Sequence, residues 1–217
     1  MDIKGQGSIT FNNWENSHIP EILQEIYLQR IYQQYITPKK DAIFFDLGCN
    51  IALWSLYASP YAKHIYSFEP ALETYKIGKK NLENNNIKNV TLFQKAVAPT
   101  DGEMTLYHST NTTMNSLKPE VNNTQIKETV ATIRLDTIVK EQKIDYIDFM
   151  KCDVEGAEAE LFTSESFKNI VPILDSFIYE WHSWSSSNPL VLNAGLMNYG
   201  YKIKQIKSDA TLFICQK

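Results

Sequence analysis

From Asp41 onward the chain alternates short apolar runs with helical stretches, and this rhythm restricts the fold more than any other feature of the sequence. Ile43-Phe44-Phe45-Asp46-Leu47 is a buried-strand run that stops at Gly48. A helical stretch passes through Leu53, Leu56 and Tyr57 and ends at Pro60. Ile65 to Phe68 is the second strand, 71–86 the next helix, and Val90 to Phe93 the third strand. Strand and helix in strict alternation build a parallel sheet with right-handed crossovers. After Asp101-Gly102 the rhythm breaks: 104–108 and 130–135 read as strands around a polar stretch, 109–128. A structureless stretch of that length inside a compact domain is usually a lid or binding loop. The rhythm then resumes with strands at 146–151 and 176–181 and helices at 158–167 and 189–199. The segment 201–217 reads as two strands around a turn at Ser208-Asp209.

The expected fold is therefore α/β, a mostly parallel sheet with an antiparallel C-terminal hairpin and helices on both faces. Residues 1–40 form an arm and one helix, in which Ile22, Leu23, Ile26, Leu28, Ile31 and Tyr35 recur at helical spacing between Pro20 and Pro38. This segment is expected to cover the cofactor or acceptor. Residues 41–217 form the main domain.

Composition removes several function classes. The chain has 217 residues, 43% of them hydrophobic, which is enough for one sizeable core. The net charge is −4, and only Arg30 and Arg134 are arginines. A nucleic-acid partner is not expected from that balance, since such proteins present an arginine-rich basic face. Cys49, Cys152 and Cys215 are too scattered for a disulfide framework or a zinc site and suit a reducing cytoplasm. No apolar run approaches the length of a membrane span, and the first residues lack a signal-peptide layout.

Chemistry-bearing residues gather at predicted strand ends. Asp46-Leu47-Gly48-Cys49-Asn50 follows the first strand, and its glycine permits a sharp turn and a close ligand approach. An acid two residues before that glycine is wrong for a pyrophosphate but suits a cofactor bearing an amino group and a sulfonium. Glu69-Pro70 ends the second strand, where an acid can accept both hydroxyls of an adenosine ribose. Lys151-Cys152-Asp153-Val154-Glu155-Gly156-Ala157-Glu158 ends the fourth strand and crowds carboxylates at the sheet's mouth. Glu158 is best placed to cap the next helix. Glu180-Trp181-His182 ends the fifth strand, and period-2 alternation puts Glu180 and His182 on one side.

Taken in order, Asp46-x-Gly48-x-Asn50, Phe68-Glu69-Pro70, Leu135-Asp136, the Lys151–Glu158 string and Glu180-x-His182 resemble the FkbM family of S-adenosylmethionine-dependent methyltransferases. The resemblance covers about 41–217. It implies a seven-stranded class I, Rossmann-like sheet whose last strand is antiparallel, and O-methylation of a hydroxyl on a sugar, glycan or secondary metabolite. On this reading Asp46, Gly48 and Asn50 lie near the methionine part of the cofactor, and Glu69 and Pro70 lie at the ribose. Lys95, Ala96 and Val97 reach the adenine, and Asp153 faces the methyl group. His182, with an ordinary pKa near about 6.5, is the expected base. Glu180 holds its imidazole, and Lys151 is a further catalytic candidate. No metal is expected, although Asp153, Glu155, Glu180 and His182 are compatible with Mg²⁺.

Ala52 stands where the family usually has glycine. A negative φ there would make the methyl group cheap; a positive φ, or cofactor packing at that point, would lower affinity. A non-catalytic S-adenosylmethionine-binding module of the same fold is one alternative. A nucleotide-dependent oxidoreductase is another, which the missing Gly-x-Gly-x-x-Gly opposes.

Overall fold

The structure, a computed structural model, describes residues 2–3, 7–8, 19–109, 115–118, 126–206 and 211–217. A two-residue ribbon pairs β1 (Asp2–Ile3) with β2 (Gly7–Ser8). Helix α1 (Ile19–Leu23) runs into a π-helical turn, Gln24–Leu28. The single helix expected up to Tyr35 is not formed. Gln29 N–H bonds back to the Gln24 carbonyl, and Arg30 adopts a left-handed backbone (φ 52°), which ends the helix.

The main domain then runs β3 (Ile43–Leu47), α2 (Leu53–Ala58), β4 (His64–Phe68), α3 (Leu72–Asn84), β5 (Val90–Phe93), β6 (Ala96–Val97), β7 (Gly102–Tyr107) and β8 (Lys127–Ile133). It continues with α4 (Leu135–Glu141), β9 (Ile147–Cys152), α5 (Glu158–Thr163), α6 (Glu165–Ile170), β10 (Leu174–Glu180), α7 (Pro189–Asn198), β11 (Lys202–Gln205) and β12 (Leu212–Gln216). Seven strands form one sheet in the order β11-β12-β10-β9-β3-β4-β5. The pairs β10/β9, β9/β3, β3/β4 and β4/β5 are parallel, and β12 is antiparallel to both β10 and β11. This is the expected α/β, Rossmann-like arrangement with an antiparallel C-terminal hairpin. The turn expected at Ser208-Asp209 lies outside the described residues.

Buried-strand sequences work here because both faces are covered. Phe44, Ile65, Phe149 and Ile178 point to one face, where α1, α2 and α3 pack. Their neighbours Phe45, Met150, Phe177 and Tyr179 point to the other, against α4 to α7. Period-2 alternation thereby sends every second side chain into a separate core. On the first face Asp46 follows Phe44, and Lys151 follows Phe149. Two polar residues thus sit in register at the same end of adjacent central strands, as the pairing Asp46 with Lys151 shows.

Three local expectations are corrected. Strand β8 stops at Ile133, and Leu135 opens a helix where a strand was expected. The Arg134 guanidinium grips Asp136 through two bonds of 2.8 and 2.7 Å at that helix start. The helix expected over 158–167 is two helices, broken at Ser164 (ψ 155°). Finally, β6, β8 and β7 form a separate three-stranded sheet beside the main one. The polar stretch expected as a loop is described only in part. At 115–118 it returns to the domain, where Ser116 bridges Tyr107 through paired backbone bonds.

Candidate functional site

A cavity of about 280 Å³ opens beyond the carboxyl ends of β3, β4, β9 and β10. Its walls carry Gly48, Asn50, Glu69, Pro70, Lys95, Ala96, Val97, Lys151, Asp153, Glu155, Glu180 and His182. Of the predicted site residues, only Asp46 is not on the wall.

Asp46 lies beneath the floor, fully buried. Its Oδ2 accepts a 2.5 Å bond from Ser55 on α2, and Ser55 meets Ser67 at 2.8 Å. Burial pushes the Asp46 carboxyl up, and Lys151, with its Nζ 3.7 Å away, pulls it back. Lys151 also donates to Asp153 Oδ2 at 3.2 Å and to the Gly48 carbonyl at 3.3 Å. Burial would lower the Lys151 amine, but Asp153 and Asp46 hold it well above its ordinary range. Lys151 thus acts as the counter-ion that ties β3 to β9 beneath the ligand space.

Gly48 is required by close approach as well as by its φ of 71°. A Cβ on it would lie 1.8 Å from the Asp153 carbonyl oxygen. Next to it, Glu69 accepts the backbone N–H of Asn50 at 3.1 Å and of Ala71 at 2.9 Å. Burial raises its carboxyl to about 7 despite those two bonds. Each oxygen keeps further acceptor capacity for a ribose diol. Ala52 adopts φ 64°, the left-handed region. Its methyl group is buried in the core, facing Gly78 of α3, and Ala52 is not on the cavity wall. The strain therefore falls on the fold and not on ligand contact.

On the same cavity wall, His182 is ringed by carboxylates. Its Nδ1 lies 2.9 Å from Glu158 Oε1, and its Nε2 lies 3.4 Å from Glu155 Oε2 and 3.7 Å from Asp153 Oδ1. Burial would lower the imidazole. The Glu158 bond and the charges of Glu155 and Asp153 outweigh burial and raise it to about 10. The carboxylates around the ring thus favour its protonated form more than the ordinary value suggested by the sequence. The expected partner is corrected. Glu158, not Glu180, grips Nδ1, and it is fully buried. Glu158 also accepts the Gly156 N–H at 3.1 Å, so the capping role is real but is half of its work. No signal in the sequence separates the two roles, because α5 is short enough to point one side chain both at its own start and at the next strand. Glu180 lines the cavity but stands outside the group Asp153, Glu155 and His182, whose ligand atoms lie within 4.8 Å of one another.

The rim is built from elements that surround the core sheet. Glu21, Ile22, Glu25 and Ile26 of the N-terminal segment, with Tyr32, line one side. Asn115 and Leu117 line another. Ser116 Oγ donates to the Glu155 carbonyl, and Lys118 pairs with Glu160. The Trp184 ring lies 5.0 Å from that of His182 and covers Gly156, where a Cβ would meet it at 2.5 Å.

Residues 46–203 match the model of the methyltransferase FkbM domain. The chain belongs to the FkbM methyltransferase family. It is 30% identical over 173 residues to the methyltransferase sdnD of Sordaria araneosa, a match covering 64% of this chain and 66% of that protein. Among solved structures, the fold is similar to a precorrin-6y C5,15-methyltransferase from Geobacter metallireducens. That likeness has a TM-score of 0.54 at 12% identity and covers 96% of this chain and 98% of the other. It is also similar to an rRNA methylase from Streptococcus thermophilus, with a TM-score of 0.52 at 9% identity, covering 88% and 95%. No helix among the described residues is long and apolar enough to cross a membrane.

Proposed function

We propose that this FkbM-family protein transfers a methyl group from S-adenosylmethionine to a hydroxyl of a sugar, glycan or secondary metabolite. One observation carries the reading: a single cavity is lined by the Gly48–Asn50 turn, by Glu69 and by the Asp153–Glu155–His182 cluster. The cofactor supplies the electrophilic methyl group. Glu69 receives the ribose, Gly48 and Asn50 lie under the methionine part, and Pro70, Ala96 and Val97 enclose the adenine side. The acceptor enters between the N-terminal segment and 115–118, with its hydroxyl against the cluster. There the hydroxyl passes its proton to a carboxylate of that cluster while the methyl carbon is held in line. Lys151 holds Asp153 in place, and Glu158 fixes the ring of His182. Glu180 adds a further carboxylate to the acceptor side. The excess of carboxylates at that end disfavours phosphate-rich acceptors, nucleic acids among them, and suits a neutral polyhydroxyl compound.

The test is S-adenosylhomocysteine release with a panel of glycosides and hydroxylated metabolites. His182→Ala should cut turnover at saturating acceptor by about 10²-fold or more, because the carboxylates that take the proton lose the ring that pairs with them, and leave cofactor affinity nearly unchanged. Equal turnover in that variant removes His182 from the chemistry. The non-catalytic module predicts cofactor binding with no release on any acceptor.

A further inference from the structure

Asp153, Glu155 and Glu158 converge on His182, three carboxyl groups around one imidazole. Asp153 also shares Lys151, but Lys151 is engaged by Asp46 as well. We propose that Asp153, Glu155 and His182 bind a divalent cation of the Mg²⁺ or Mn²⁺ type on the floor of the cavity. The site deepens the methyltransferase reading and rests on it for its purpose, though not for its existence.

Spacing supports the site first. Nε2 of His182 stands 3.4 Å from Glu155 Oε2 and 3.7 Å from Asp153 Oδ1. Adjacent ligands of an octahedral cation with bonds near about 2.1 Å lie about 3 Å apart, so a small inward movement completes one face of an octahedron. Ring orientation supports it next. A ligating histidine usually passes its second N–H to a carboxylate, which turns the other nitrogen toward the metal. Glu158, with no exposed surface, does this at Nδ1 and aims Nε2 between the two carboxylates. Glu155 supplies a separate sign: its Oε2 is buried, accepts no hydrogen bond among the described residues, and points at Nε2. Two carboxylates and one imidazole, with no thiolate in the group, favour a hard cation, and the nitrogen donor favours Mn²⁺ over Mg²⁺.

The open half of the coordination shell faces the cavity and takes water or the acceptor hydroxyl. On the cation, the hydroxyl O–H bond breaks and its proton leaves to solvent. The oxygen's electron pair then forms the O–CH₃ bond. The C–S bond breaks with its pair on sulfur, which converts the sulfonium to a neutral thioether. The cation replaces the proton at Nε2, which leaves to solvent, so His182 then serves as a neutral ligand and not as base.

The full chain, freed of metal by EDTA, is titrated with Mn²⁺, and free Mn²⁺ is read by electron paramagnetic resonance. One site per chain is expected, with Mg²⁺ competing. Glu155→Gln should weaken Mn²⁺ binding at least tenfold. Glu158→Gln, which touches the ring and the Gly156 N–H but is not itself a ligand, should weaken it about 10–100-fold. Both variants are checked for wild-type circular dichroism and for an unchanged thermal shift with S-adenosylmethionine. No Mn²⁺ bound at millimolar concentration overturns the site, as does Mn²⁺ binding that neither variant affects. Methyl transfer undiminished in EDTA overturns the cation's role and leaves the methyltransferase reading standing. Mn²⁺ bound at this site with no transfer to any acceptor does the reverse.

Discussion

At residue scale, the cofactor end of the cavity is held by groups that tolerate little change. Gly48→Ala places a methyl group 1.8 Å from the Asp153 carbonyl and forces a non-glycine residue to φ 71°. Strain and overpacking together should cost about 2–5 kcal/mol, read by chemical denaturation, and should abolish cofactor binding. Lys151→Met leaves Asp46 buried without its cation and should cost about 3–5 kcal/mol in the same measurement. Ala52→Gly is different: it relieves the left-handed strain but loses a buried methyl group and adds backbone entropy. These effects nearly cancel, so a change within about 1 kcal/mol is expected. Glu69 carries a pH prediction. A ribose diol donates to the carboxylate, so the charged form binds, and burial raises that carboxyl to about 7. Affinity is therefore full above about pH 7 and falls as the pH drops through it. S-adenosylmethionine should bind about tenfold more weakly at pH 6 than at pH 8 by calorimetry, and Glu69→Gln should flatten the profile. A wild-type profile already flat between those pH values would remove Glu69 from the ribose.

At element scale, what was legible in the sequence followed from period and position. Strands of this sheet show as short, mostly apolar runs, which is why 43–47, 65–68 and 90–93 lie where their residues put them. Strand ends in such a sheet collect ligand residues, so Gly48, Glu69, Asp153 and His182 could be named before any contact was known. Partner choice was not legible. Glu180 and Glu158 are equally plausible holders of His182 by residue type, and the crossover geometry that brings α5 against the end of β10 decides for Glu158. Short breaks were missed for a related reason. Ser164 lies within an apolar period that continues through 158–167, yet it ends α5 and caps α6, its Oγ accepting the Phe167 N–H at 3.1 Å. Ser164→Ala should cost about 1 kcal/mol of stability, since the alternative partner for that N–H is lost inside packed helices. A variant as stable as the parent would show that packing of Phe162 and Phe167, and not the cap, sets the break.

At the scale of the whole molecule, the two halves of the cavity rest on different supports. The half proposed for the cofactor is built from β3, β4 and β9, the centre of the parallel sheet, and its polar floor is locked by Asp46, Ser55 and Lys151. The acceptor half borrows its walls from the N-terminal segment, the 115–118 return and the turn after β10. A ligand that seats on the central half therefore stabilises the domain as a unit, because it binds the folded sheet and not the unfolded chain. At a hundredfold excess over its dissociation constant, S-adenosylmethionine should add about 2.7 kcal/mol. For a domain of this size each kcal/mol moves the melting temperature by about 2–4 °C, so the expected rise is about 5–10 °C. S-adenosylhomocysteine, which keeps the adenosine and amino-acid parts, should do the same. NAD should not, because an acid beneath the Gly48 turn and the missing glycines oppose a pyrophosphate. A rise with NAD and none with S-adenosylmethionine would return the chain to dinucleotide chemistry despite its family. A rise with neither would mean that the central half needs the acceptor walls closed before it binds, and adding acceptor together with the cofactor should then restore the shift.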